Sequence, residues 1–362
     1  MKKICFITCD ISLGGGLDRV NATLASTLAG DYEVWIASLI SVGESRYPLD
    51  PRIHLRYFHG EGLRLRQMFV RLHTPLKRFI REMGFDLVVL QGSYPSLIAS
   101  PLRFFTGARY VYCDHGALAN EWDHPASTIM RRIGSAFCHR TVVLTMRNLK
   151  DYNQFFLVPK RKLRCIPNWI DSTLPHSTEY RTDSKRILAA GRFAEEKQFD
   201  VLLRAFHRVV QKHPDWSLDL YGDGELRQQL QELVSQLHLQ ENVRLPGMCS
   251  DLLCRYGEYA MYVLSSYREG LPLVLLEAKL NRLPIVSFDV VTGPREIVRH
   301  EVDGLLVPAG EEDALAGAIC RLIEDPKLRM KMSQCSQENI SKFDKDTILA
   351  QWKQLVEELT IS

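Results

Sequence analysis

Nothing in this chain of 362 residues approaches the run of about 20 apolar residues that a membrane-spanning helix needs. The opening stretch, MKKICFITCD, has two lysines but reaches aspartate within seven residues of Lys3 and offers no small-residue cleavage site. That is too short for the apolar core of a secretory signal, so a cytoplasmic protein beginning with a β-strand is expected. Nine cysteines are present without a C-x-x-C pair, and Cys5, Cys113, Cys138 and Cys165 sit inside apolar stretches. Free thiols are therefore expected rather than disulfides or a zinc ribbon. No G-x-G-x-x-G occurs, so the dinucleotide fingerprint is unmet. The one Asp-x-Asp, Asp344 and Asp346, falls where a C-terminal helix should start and reads as a helix cap. Short repeats and low-complexity tracts are also missing.

What is present is globular: 46% hydrophobic and 25% charged residues, in a length suited to two domains. Residues 1–180 carry 23 Lys+Arg against 15 Asp+Glu, a net of +8; residues 181–362 carry 23 against 28, a net of −5. The halves face different partners. Short, continuously apolar runs alternate with amphipathic helical stretches in both. The runs are KICFIT, EVWIASLI, IHLRYF, DLVVL, ARYVYC, TVVLT and LRCIP, then RILAAG, WSLDLYG, NVRLPG, MYVLSS, PIVSFD and GLLVP. Unbroken apolar strands between helices imply parallel sheets covered on both faces, an α/β class with two Rossmann-like doubly wound domains facing a cleft. The expected boundaries are a domain at 1–170, a polar linker at 171–184 and a second domain at 185–345. A final helix at 346–362 is expected to pack back across the junction.

In open α/β sheets ligands bind beyond the carboxyl ends of the strands, which directs attention to the residue after each run. Gly14, Gly15 and Gly16 follow the first, either as a tight turn or as a loop that a ligand's anion or sugar oxygen approaches. His115 follows ARYVYCD, either as a loop histidine bonded to backbone or as a group projecting into the cleft. Arg192 and Lys197 follow RILAAG. They suit a diphosphate, although Glu195 and Glu196 beside them are ready partners. Gly222, Gly224 and Gly247 end the next two strands, by turn chemistry or because a ligand crosses them. In YREGLPLVLLEA, Glu269 should lie in a loop and Glu277 about one and a half turns into a helix with Pro272 in its first turn. Eight residues turn a helix through roughly 80°, so the carboxylates need not share a face. The amides of Gly270, Leu271 and Leu273 would meet an approaching anion.

Glu269 to Glu277 spells E-x7-E, and with it the chain resembles the GT-B enzymes of glycosyltransferase family 4. The resemblance runs from the glycine loop at 14–16 through HG at 115–116, PNWID at 167–171, GRFAEEK at 191–197 and YGDGELR at 221–227. It continues through EGLPLVLLE to TGPREIVRHEVDGLLVP at 292–308. The resemblance implies a nucleotide-sugar donor held mainly by the second domain and an acceptor held mainly by the first. It assigns Arg192 and Lys197 to the diphosphate, Glu277 to the ribose hydroxyls, and Glu269 and His115 to the transferred sugar as the catalytic pair. Gly15, Gly16, Gly222, Met248, Gly270, Leu271 and Leu273 would complete the donor site, with Met248 near the base. It further implies retention of configuration and no metal or other cofactor. The expected donor is a UDP-linked hexose or N-acetylhexosamine, and the acceptor a saccharide, lipid-linked in bacterial surface glycan assembly. The sequence departs from the family at Trp169, where glycine is usual, and in TGPREI, which keeps one glycine where two are often found.

Residues 61–83 place Leu65, Met68, Phe69, Leu72, Leu76, Phe79, Ile80 and Met83 at helical spacing. Arg64, Arg66, Arg71, Lys77, Arg78 and Arg81 lie between them, against Glu61 and Glu82, a net of +4. This is either a Rossmann helix with a solvated basic face or a docking face for an anionic membrane surface. No nucleic-acid motif or aromatic interleaving accompanies it. A UDP-sugar 2-epimerase of the same fold and a non-catalytic sugar-nucleotide-binding protein are the alternatives. A phosphorylase lacks a suggested cofactor lysine here, and a glycosidase lacks any further likeness.

Overall fold

The computed structural model of the chain describes residues 1–12, 15–40, 43–60, 62–122 and 124–360. Its chain divides into two compact units, Met1–Asn168 with Ile348–Ser362, and Trp169–Thr347. The first holds seven strands: β1 (Lys3–Thr8), β2 (Glu33–Ser38), β3 (His54–Tyr57), β4 (Leu87–Gln91), β5 (Arg109–Asp114), β6 (Arg140–Val143) and β7 (Leu163–Cys165). The second holds six: β8 (Arg186–Ala190), β9 (Ser217–Tyr221), β10 (Val243–Gly247), β11 (Met261–Leu264), β12 (Ile285–Asp289) and β13 (Gly304–Pro308). All thirteen apolar runs form strands. β4 and β11 are buried along their whole length, as the absence of polar alternation requires.

The spatial orders are β3-β2-β1-β4-β5-β6-β7 and β10-β9-β8-β11-β12-β13. Every ladder is parallel. Ile4 lies opposite Val34 on one side and Leu87 on the other, and Tyr262 opposite Leu188 and Ile285. In each sheet the winding reverses once, between β1 and β4 and between β8 and β11. Loops leaving adjacent strands diverge there and open a crevice.

The polar stretch 171–184 contains no strand or helix, yet it is tied to the second unit rather than free. The Tyr180 hydroxyl donates to Ala260 O (2.7 Å), Ser177 N–H to Asn281 Oδ1 (2.7 Å) and Arg329 Nη2 to Thr182 O (3.1 Å). The last helix, Lys345–Thr360, buries Ile348, Leu349, Trp352, Leu355, Val356 and Leu359. Most of it belongs to the first unit. Glu357 pairs with Lys2 and accepts from Tyr32, Lys353 pairs with Asp31 (2.7 Å), and Arg164 with Glu358 (2.9 Å). Asp344, just ahead of that helix, accepts the Asp346 amide (3.2 Å) and the Ser172 hydroxyl (3.0 Å), a cap-like use of the Asp-x-Asp.

The helix Leu65–Met83 turns Met68, Leu72, Leu76 and Ile80 into the core of the first unit, while Arg64, Arg66, Arg71, Arg78 and Arg81 stay exposed. Lys77 lies over the ring of Phe105 (5.7 Å). Phe69, Val70, Phe104 and Phe105 are exposed apolar side chains of the same unit. Glu61 lies outside the described residues. All nine cysteines are free thiols, with Cys5, Cys113 and Cys138 buried.

Candidate active site

The loops after β8 and β9 interlock by close backbone approach. A Cβ on Gly222, at φ +141°, would sit 1.8 Å from Gly191 O, and one on Gly224 would sit 2.6 Å from Phe193 O. Only glycine permits that contact. In return, the amides of Gly191, Phe193 and Leu226 donate to Tyr221 O (2.9 Å), Asp223 O (2.9 Å) and Phe193 O (3.1 Å). The glycines at these two strand ends thus serve loop-to-loop packing, which fixes the segment carrying Arg192 and Lys197. Phe193 is fully buried against Phe199 and anchors the segment from below.

The same segment meets the loop after β11, across the switch point of the second sheet. Lys197 Nζ lies 2.7 Å from Glu269 Oε1, with the side chains 21% and 9% exposed. The Ser265 hydroxyl donates to Lys197 O (2.8 Å) and Tyr267 N–H to Glu196 O (3.0 Å). From the loop after β12, the Thr292 hydroxyl donates to Glu269 O (2.6 Å). Arg192 is exposed and donates through Nη2 to Glu196 Oε1 (2.8 Å). The neighbouring acid is therefore the partner of Arg192, whereas Lys197 reaches a carboxylate 72 residues away.

The glutamates of the opening motif have separate surroundings. Pro272 is the N-cap of the helix Leu273–Leu280, one position earlier than expected, so Leu273 opens the helix. Its amide precedes the first intrahelical bond. Leu271 is buried, Gly270 is half-buried, and Met248, after β10, is 63% exposed. Glu277 is 5% exposed and its Oε2 accepts from the Tyr256 hydroxyl at 2.9 Å. Two residues on, the fully buried Lys279 pairs with the fully buried Asp303 (2.7 Å) and donates to Ile297 O (3.2 Å). Arg299 also binds Asp303, through Nε (2.8 Å) and its amide (2.9 Å). A helix buried on nearly all sides carries no amphipathic signature, and this polar network fixes its rotation.

In the first unit His115 leaves the end of β5, and its Nε2 lies 2.6 Å from Oε1 of Gln91, the last residue of β4. Burial pushes the imidazole down to about pKa 4, against the raising charge of Asp114. It is a neutral ring at pH 7. Asp114 organises the turn: it accepts from the Gly116 amide (3.1 Å) and the Tyr152 hydroxyl (2.8 Å), and pairs with buried Arg131 (3.3 Å). Asn148 closes it with bonds to Gly116 O (3.2 Å) and from the Leu118 amide (2.9 Å).

The glycine loop follows β1, beside the switch point of the first sheet. Gly16 opens the helix Gly16–Leu28 and Gly15 is its N-cap, in extended backbone. A Cβ on Gly15 would meet only Asp18 Oδ2 at 3.8 Å, so neither conformation nor packing demands glycine there. Gly14 lies outside the described residues. Asp18, in the first turn, is held up at about pKa 6 by burial and then by the charge of Asp10.

The structure thus brings Lys197 to Glu269 and places Arg192 with Glu196, Glu277 with Tyr256, and His115 with Gln91. Sequence reading missed Tyr256, Thr292, Gln91, Asp18 and the Asp114–Arg131 support. Thr292 opens the TGPREI stretch but carried no assigned role, and Tyr256, Gln91 and Arg131 meet their partners Glu277, His115 and Asp114 only through the fold.

Two doubly wound parallel sheets, each with polar side chains at strand ends beside its switch point, define the GT-B class of α/β group-transfer enzymes. Within that class the chain belongs to the glycosyltransferases. The model for glycosyltransferase family 4 matches residues 14–174, and the model for glycosyl transferases group 1 matches residues 172–339. The amylovoran biosynthesis glycosyltransferase AmsD of Erwinia amylovora is 28% identical, over 98% of this chain and 100% of its own. An α-1,4-N-acetyl-D-galactosaminyltransferase of Campylobacter jejuni, named for an acceptor saccharide on PP-undecaprenol, is 24% identical over 99% of both chains. Among solved structures, Anabaena HepE in complex with UDP-glucose superimposes with a TM-score of 0.85 at 19% identity, covering 99% of this chain and 100% of that one.

Proposed function

We propose that the protein is a retaining, metal-independent glycosyltransferase. It moves a hexose or N-acetylhexosamine from a UDP-sugar to a lipid-linked saccharide acceptor in bacterial surface glycan assembly. The observation that carries this reading is the Lys197–Glu269 pair at the β8/β11 switch point, with Arg192 on the same loop. A donor diphosphate competes with Glu269 for Lys197 and with Glu196 for Arg192. Glu269, released from full charge pairing, then accepts a hydroxyl of the transferred sugar, while Glu277 accepts from the ribose. Neutral His115 hydrogen-bonds the sugar without adding positive charge.

In the transfer step the bond from the anomeric carbon to the diphosphate oxygen breaks, with its electron pair leaving on the diphosphate. Two cations and the amides opening the helix Leu273–Leu280 stabilise that charge, which gives the metal-free route its electrostatic basis. The acceptor hydroxyl bonds to the anomeric carbon on the face the diphosphate leaves, and its proton passes to a departing phosphate oxygen. The PP-undecaprenol acceptor named for the Campylobacter jejuni relative supports a lipid-linked acceptor, and the amylovoran biosynthesis named for the Erwinia amylovora relative supports a surface-glycan setting. UDP-glucose in the similarly folded Anabaena protein supports a UDP donor.

Among the described residues no helix is long and apolar enough to cross a membrane. The exposed basic face of Leu65–Met83, with Phe104 and Phe105 nearby in the same unit, supports peripheral docking on the inner face of the cell membrane. A panel of nucleotide sugars, read by thermal shift and by slow donor hydrolysis with and without EDTA, tests the reading. Stabilisation by at least one UDP-sugar and EDTA-insensitive hydrolysis are expected. A chain that no nucleotide sugar stabilises is not this enzyme.

A further inference from the structure

Tyr256 is buried completely and opens the short turn Tyr256–Glu258, downstream of β10. Its hydroxyl donates to Glu277 Oε2 at 2.9 Å. Its ring lies parallel to that of Tyr262 in β11, with centroids 5.9 Å apart and planes 1° apart. The Tyr262 hydroxyl in turn clasps Ala190, receiving its amide (3.2 Å) and donating to its carbonyl (3.0 Å). Ala190 ends β8, two residues before Arg192. Behind Glu277, Asn281 Nδ2 donates to Glu277 O (2.9 Å) while Asn281 Oδ1 accepts from the Ser177 amide (2.7 Å). Backbone and carboxylate of Glu277 are therefore both held from outside its own side chain.

An ionised carboxylate only accepts hydrogen bonds, in about four lone-pair directions. Unsupported, it swivels to suit whatever donor arrives; with a hydroxyl fixed on Oε2, its remaining lone pairs keep a set direction. Such a group repels phosphate and rewards a neutral hydroxyl donor at one defined position. We propose that Tyr256 is a positioning residue that, through Glu277, makes the site selective for ribonucleotide over 2′-deoxyribonucleotide donors. This rests on the reading above, in which Glu277 meets the ribose.

Titration calorimetry with UDP, ADP and GDP and their 2′-deoxy forms tests it on the wild type, Tyr256→Phe, Glu277→Gln and the double variant. Phenylalanine keeps the stack on Tyr262 and removes only the hydroxyl. The hydroxyl bonds a charged group, so its loss weakens the preferred ribonucleotide about tenfold. The 2′-deoxy form should weaken less than about twofold, and ribose selectivity should collapse. In the Glu277→Gln background, Tyr256→Phe should change neither affinity. With the sugar donor, KM should rise while kcat stays within about twofold. Equal weakening of both nucleotides by Tyr256→Phe, or of neither, overturns the role of Tyr256 and leaves the donor reading standing. If no nucleoside diphosphate binds the wild type, the donor reading fails and takes this proposal with it.

Discussion

Replacing Glu269 with glutamine should make the enzyme bind its leaving group better and turn over worse. Lys197 Nζ lies 2.7 Å from Glu269 Oε1, and the pair is largely shielded. At that distance the gross attraction is about 6 kcal/mol for an effective dielectric near 20. Most of it is offset by desolvation of both charges, leaving a net of about 1–2 kcal/mol for a partly buried pair. A diphosphate must overcome that net amount to take Lys197, so glutamine should tighten UDP binding roughly 5- to 30-fold. The same change removes the carboxylate assigned to the transferred sugar, and kcat should fall by about two orders of magnitude. Calorimetric titration with UDP and steady-state transfer assays read the two effects separately. Weaker or unchanged UDP affinity in Glu269→Gln would refute the competition between Glu269 and the diphosphate for Lys197.

The buried Lys279–Asp303 pair should respond asymmetrically. Asp303→Ala strands a fully buried ammonium and should cost about 3–5 kcal/mol, lowering the unfolding midpoint by roughly 10 °C. Lys279→Met leaves Asp303 bonded to Arg299 and should cost about 1–2 kcal/mol; equal losses would refute the assignment. For pH, burial holds His115 and His139 at about pKa 4 when folded, below the ordinary value of 6.5. Between those values the unfolded chain binds more protons, so these histidines make stability fall as pH drops from about 6.5 towards 4. Urea titrations of His139→Gln should show a flatter slope in that window, and an unchanged slope would count against its burial. Sedimentation with vesicles should show salt-reversible binding to anionic but not neutral lipid, lost on reversing Arg66, Arg71 and Arg78 to glutamate. Equal binding to both lipids would remove the docking face.

Much of the fold was legible because parallel strands buried on both faces must be apolar without alternation, and glycine must follow where backbones touch. Hence all thirteen strands, the two-unit division and the loops bearing Arg192, Lys197, Glu269 and His115 could be placed in advance. The stripe of 61–83 was legible in outline: Met68, Leu72, Leu76 and Ile80 enter the core and the arginines face water, while Phe69 at a stripe position stays exposed. Less was legible about the partners. Arg192 could be matched to a local acid because Glu196 stands four residues further along the same loop. Lys197 could not be matched to Glu269, and its two nearest acids were the natural guess.

By itself, then, the sequence determined the α/β class, the strand ends from which the candidate site's loops leave and the residue types offered there. These depend on local apolar patterning and on chain reversals that only glycine tolerates. Tertiary structure alone decided that Lys197 faces Glu269, that Tyr256 holds Glu277, that Lys279 is buried on Asp303 and that most of the last helix joins the first unit. Each joins residues from segments that sheet order, not sequence order, makes neighbours. Reversal of winding between β8 and β11 sets the loops bearing Lys197 and Glu269 side by side, and no periodicity along the chain records it.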